Sequence, residues 1–311
     1  MNMSRDPFED AFIKNFTSVV LGVIITYING IFVHAFFKTQ IFYTDPRYIL
    51  YIHLVINDIM MLFIAVTLQV MSYTLPLVNV TVCCFLLLLA STTSGNTPLN
   101  LAGMALERYI AICKPLHHPQ LCTVKRTYFC IGLIWLLTTG SVLTDIIISL
   151  LYQPISFFLT STMCYLKNIF GSNEHLIKTI FTQTVHLSIV WITLIFTYFK
   201  VLQAANATTT DQVMAKKARK TILLHGIQLL LCMLAYVTPI INYFFLALFP
   251  KYKSTFMFIT YIFFDIFPRL LSPLIYGVRD KKMFKYVSTY LLFGKFSTLV
   301  GPAGKEPKQT K

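Results

Sequence analysis

Six ionisable side chains stand where ionisable side chains are costly. Asp58, Asp145, Asp265 and Arg269 lie inside long apolar runs. Glu107 and Arg108 stand side by side where such a run meets basic residues, in MALERYIAICKP, Met104–Pro115. A charge at the centre of a membrane helix costs roughly 2.5–3.5 kcal/mol or more, so each is a functional candidate by default. Asp265 and Arg269 are four apart with the acid first, a spacing that allows an ion pair. Two arrangements are open: the two neutralise each other, or Arg269 reaches Asp58 and leaves Asp265 facing a ligand cavity. Asp145 is a weaker pocket candidate. Neighbours on a helix diverge by about 100°, so Glu107 and Arg108 need not pair well. Enzymatic chemistry finds little support. There is no His-Glu-x-x-His pattern, the histidines are scattered, and the seven cysteines form no Cys-x-x-Cys pair.

The elements that position these residues must be membrane helices. Of 311 residues, 56% are hydrophobic and 12% charged, about half the charge of a soluble domain. The mean hydropathy is +0.67. Seven apolar runs are long enough to cross a bilayer of about 30 Å: Phe16–Phe37, Tyr48–Met71, Val80–Cys113, Tyr128–Leu151, Ile177–Phe199, Thr221–Phe249 and Thr255–Tyr276. Backbone groups in lipid must be satisfied internally, so an all-α bundle of seven helices is expected. The connecting segments on one side hold six lysines and arginines and those on the other side nineteen. The positive-inside rule then places the N-terminus outside. The net charge of +14 is accounted for by this sorting, and no nucleic-acid partner is implied. Residues 1–15 read as an external N-terminus without a cleavable signal, and 16–277 as the seven-helix domain. Residues 278–294 read as a short interfacial helix with Met283, Phe284, Val287, Tyr290 and Leu291 on one stripe against membrane lipid, and 295–311 as a disordered tail.

Three stretches carry a family resemblance. E-R-Y followed by I-A-I-C-K-P-L-H-H-P, from Glu107, resembles the inner end of the third helix in rhodopsin-like G-protein-coupled receptors, and more narrowly the M-A-Y-D-R-Y-V-A-I-C-x-P-L signature of vertebrate odorant receptors. Leu106 and Glu107 replace the usual Tyr and Asp. KKARKTILLHG, from Lys216, is similar to the stretch opening their sixth helix: Lys217, Ala218, Thr221 and His225 match, and Ile222 replaces Cys. PRLLSPLIYGVRD, from Pro268, is similar to P-x-L-N-P-x-I-Y-x-x-R of the seventh: Pro273, Ile275, Tyr276 and Arg279 match, and Ser272 replaces Asn. Asn29, Asp58, Trp135 and Cys83 take landmark places on helices one, two, four and three. YINGIFVHAFF and SPLIYGVRDKKMF resemble fish-type members.

The resemblance implies a receptor that binds a small odorant within the bundle and activates a heterotrimeric G protein of the stimulatory, cAMP-raising type, at the plasma membrane of sensory cilia. Glu107, Arg108 and Tyr109, with Lys217, His225 and Tyr276, would form the switch that meets the G protein. Asn29, Asp58, Thr97, Asp265, Arg269, Ser272 and Pro273 would form an intramembrane polar network, with a water or sodium cluster near Asp58. Ala90, Ser91, Ser94, Gly95, Tyr236 and Asp265 would line the ligand pocket. Cys83 would pair with Cys164, with Cys84 as the competing partner. Asn2 or Asn15 would carry a glycan. Ala90 stands where amine receptors carry an acid, which leaves an amine site at Asp265 open. The rival readings are a non-olfactory receptor of the same fold for a peptide, lipid or amine, and a transporter. The transporter reading lacks the expected repeat symmetry.

Overall fold

The computed structural model describes residues 7–75, 77–207, 252–280 and 283–287, together with positions 238, 245, 248 and 249. Six of the seven expected spans fall there: Phe8–Lys38, Pro46–Thr74, Val80–Cys113, Val124–Tyr152, Asn173–Ala207, and a seventh span built from Lys253–Thr260, Tyr261–Ile266 and Phe267–Arg279. The sixth run, with Lys217, His225 and Tyr236, lies outside the described residues apart from helical positions at Thr238, Phe245 and Leu248.

The spans begin where local chemistry starts a helix. Asp45 accepts from the Arg47 amide ahead of span two, with Pro46 in the first turn, Asn79 accepts from the Thr81 amide ahead of span three, and Thr123 accepts from the Arg126 amide ahead of span four. Span one starts eight residues earlier than its apolar run, at Phe8. Glu9 and Asp10 suit the positive end of a helix, and Phe8, Phe12 and Phe16 stack at four-residue intervals. Lys14, which reads as an external charge, is buried and donates to Ser254 Oγ at 2.8 Å, so spans one and seven begin at the same end of the bundle.

Two close approaches set the packing of spans one to four. A Cβ on Gly22 would come 2.9 Å from Val66 Cγ2, and one on Gly95 would come 3.1 Å from Thr138 Cγ2. The main core joins Phe32, Phe36, Phe42, Tyr48, Tyr51, Leu54 and Leu101 with Met283 and Val287. The short helix after span seven therefore docks two of its stripe residues into the bundle, while Phe284 stays exposed. Span seven continues to Arg279, past the expected boundary at 277. Asp280 makes the corner: its carboxylate accepts from the Met283 amide and from the Tyr48 hydroxyl, both within 3.1 Å.

At the end where span three begins, Val78–Asn79 pairs antiparallel with Ser161–Thr162. Cys83 and Cys164 form the disulfide beside this pair, with Cα atoms 5.5 Å apart, and Cys84 is a free thiol. The segment between spans four and five is thereby pinned to span three. This is the disulfide end of the bundle, and the opposite end, rich in Lys and Arg, is the basic end.

Candidate functional site

The centre of the bundle holds a connected set of buried polar side chains. Asp58 of span two is wholly buried, and its Oδ1 accepts from Arg269 Nη1 of span seven at 2.9 Å. The same Nη1 donates to Thr97 Oγ1 at 3.1 Å, and Nη2 lies against Met61 Sδ. Asn57 donates to Thr97 Oγ1 and to the Thr93 carbonyl. Asn96 donates to Asn57 Oδ1, and Thr138 of span four donates to Asn96 Oδ1 at 2.7 Å. Asn29 of span one donates to the Arg269 carbonyl at 3.4 Å. Ser272 is buried beside Asp58. Five of the spans thus meet through one hydrogen-bonded chain, in a setting where each unmet polar group would cost about 1–3 kcal/mol.

Of the two arrangements open for Arg269, the second holds. The guanidinium belongs to Asp58, and Asp265 makes no ion pair with it. The reason lies in the backbone. Tyr261–Ile266 forms a π-helical turn, which widens the helix and changes the angular offset between residues four apart. The sodium expectation meets a direct obstacle here. The cationic place next to Asp58 Oδ1 is already filled by Arg269, and a second cation would sit against a guanidinium in a low-dielectric interior. The residues present do not fit a sodium ion.

At the basic end, Glu107 is buried and holds two partners. Arg108 Nε lies 3.5 Å from Oε2, and His118 Nε2 lies 3.1 Å from Oε1. Adjacent residues therefore do pair, because both side chains are long enough to bend back across the angle between them. Tyr109 packs edge-on against Phe196 of span five, with ring centroids 5.3 Å apart. His118 lies in the short helix His118–Leu121 that follows span three. The Tyr276 side chain lies outside the described residues.

Other expected site residues take varied places. Ser91 is exposed on span three, whereas Ala90 and Ser94 are partly buried. Gly95 faces Thr138 of span four at a close helix approach. Pro273 is buried within span seven. Asp145 is held in an ion-pair cluster: Lys178 Nζ at 2.5 Å from Oδ2 and His175 Nδ1 at 3.1 Å from Oδ1, with Ser149 Oγ 3.2 Å from the other ring nitrogen. Asn15 lies within span one with its Oδ1 buried, a poor setting for a glycan acceptor. Asn2 lies outside the described residues.

This arrangement is a helical bundle with a buried charge-neutralised core and a clustered arginine at one end. Among the described residues, nothing is organised for bond breaking. The family described as "7 transmembrane receptor (rhodopsin family)" matches residues 28–276. The chain belongs to this family. It is a receptor rather than an enzyme, and a multi-pass protein of the plasma membrane. The receptor is also similar to a protein of Danio rerio named Odorant receptor 131-2, with 31% identity over 282 residues, covering 90% of this chain and 86% of that one. The match runs through the polar core and the Glu107–Arg108 cluster, and a ligand and a G protein are the partners the family implies.

Sequence reasoning missed Asn57, Asn96, Asn100, Thr138 and His53. Asn100 donates to the Leu50 carbonyl, and Trp135 of span four donates to His53 Nε2 at 2.8 Å. The signal was available: amides and an imidazole inside apolar runs require partners, just as the charges do.

Proposed function

We propose that this receptor detects a small odorant and passes the signal to a stimulatory, cAMP-raising G protein, with the disulfide end outside the cell and the basic end in the cytoplasm. The observation that carries the reading is the extent of the likeness to the zebrafish odorant receptor, which spans nearly all of both chains. The Glu107 cluster supplies the switch. Glu107 holds Arg108 and His118 at rest. A ligand that favours the active bundle breaks this arrangement and frees Arg108 for the G protein. Such a shift needs a ligand that binds the two states with different affinity. The excess of lysines at the basic end agrees with a cytoplasmic face. Sensory cilia are the site of action on this reading.

The test is expression with a stimulatory olfactory G-protein α subunit, with cAMP recorded against pooled odorants. A dose-dependent rise that requires the receptor supports the proposal. Silence to every pool, at demonstrated surface density, overturns the odorant–cAMP assignment.

A further inference from the structure

The four acids inside the apolar runs do not all find a direct ion-pair partner. Asp58 has Arg269 at 2.9 Å, Glu107 has Arg108 at 3.5 Å, and Asp145 has Lys178 at 2.5 Å. Asp265 is the fourth. It makes no hydrogen bond or ion pair with any of the described residues, although it is only partly exposed. The cations Arg269 and Lys14 make their direct contacts elsewhere, although the Arg269 charge still reaches Asp265. Arg269 lies against Asp58, Thr97 and Met61. Lys14 is engaged at the rim with Ser254, eleven positions before Asp265 in the same span. Nor does span six offer one, because Thr221–Phe249 contains no lysine and no arginine.

The local geometry keeps Asp265 apart from Arg269. It sits in the π-helical turn Tyr261–Ile266, on the disulfide-end side of Arg269. One turn further toward that end, the Tyr261 hydroxyl lies beside Ser18 of span one and close to Asp265. The same short stretch therefore holds a carboxyl group with no direct ion-pair partner among the described residues. Leaving such a charge unmet in a low-dielectric site is costly. Either the carboxyl keeps a proton or a ligand brings the missing charge. A metal ion is poorly served by one carboxylate, and no group of three His, Cys, Asp or Glu side chains exists among the described residues. A protonated amine suits the position: it supplies one positive charge and several N–H donors.

We propose that Asp265 is a ligand-binding residue and that the receptor takes small aliphatic amines, with the ammonium group on the Asp265 carboxylate. This rests on the ligand-gated reading above and names the chemical class of its ligand. The acid usual for amine receptors is absent at Ala90, so the amine is anchored from span seven rather than span three.

The test uses the full-length receptor purified in detergent and three probes of one length: hexylamine, hexanol and hexanoate. Hexylamine should raise the unfolding midpoint saturably at neutral pH, and the other two should not. Asp265→Asn should weaken the hexylamine effect at least about tenfold, and Asp265→Glu should largely retain it. Equal stabilisation by hexanol, or an undiminished amine effect in Asp265→Asn, would overturn the proposal. The wild-type comparison decides even where a variant folds poorly. A parallel cell assay separates the two readings. Hexylamine stabilisation without any G-protein response would sink the receptor mechanism and keep the site, whereas responses to neutral odorants with amines silent would do the reverse.

Discussion

Arg269 Nη1 lies 2.9 Å from Asp58 Oδ1, so span seven carries its own cation into the acid of span two. Both side chains are almost completely buried. Removing one partner of such a pair leaves a bare buried charge, which costs about 3–5 kcal/mol. Arg269→Leu and Asp58→Leu should each lower thermal stability and surface yield sharply. Asp58→Leu combined with Arg269→Leu should be much less damaging than the sum. A double-mutant cycle of unfolding midpoints measures the difference.

The same contact predicts indifference to sodium. Replacing choline chloride with sodium chloride at constant ionic strength should leave the unfolding midpoint of the receptor unchanged, because the guanidinium already fills the cationic place at Asp58. A saturable sodium-specific rise, lost in Asp58→Asn, would contradict this.

The Asp145 cluster fastens span four to span five near the disulfide end. Lys178 and His175 both approach the carboxylate, and His175 is itself buried. Lys178→Met should cost about 1–3 kcal/mol, the scale for a charged hydrogen bond left unmade. The combination Asp145→Asn with Lys178→Met should recover part of that loss in thermal unfolding.

Cys122, in the segment between spans three and four, has its thiol pushed up to about 11, chiefly by burial and further by the negative charge of Glu107, with Arg126 opposing. The thiolate is the reactive form, so at pH 7 only roughly one part in ten thousand reacts. Alkylation at Cys122 should rise about tenfold per pH unit until the pH approaches that value. Glu107→Gln removes one of the causes and should speed the reaction at fixed pH. Mass spectrometry of the modified peptide reads this directly.

The fold was largely legible because hydropathy over twenty residues reports spanning helices and little else. Its limits appear at particular residues. The Phe8–Asn15 segment looks like an external arm because Glu9, Asp10 and Lys14 are charged, yet the helix continues through them and Lys14 finds Ser254 from another span. His175 and Lys178 fell at the edge of an apolar run, so their bonds to Asp145 could not be read from spacing. Arg269 had two carboxylates within reach, and only the π-helical turn, a backbone feature without a sequence signature, decides between them. The disulfide, by contrast, followed from the family resemblance and stands as expected, with Cys84 free.

Nucleotide exchange on a purified stimulatory G protein, catalysed by the receptor in membranes, tests the switch most directly. The receptor should accelerate exchange when an activating odorant is added. Glu107→Gln, which weakens the hold on Arg108 and His118, should raise the rate without ligand. Arg108→Ala at equal surface density should abolish the ligand-driven rise. Full ligand-driven exchange in Arg108→Ala would contradict the account.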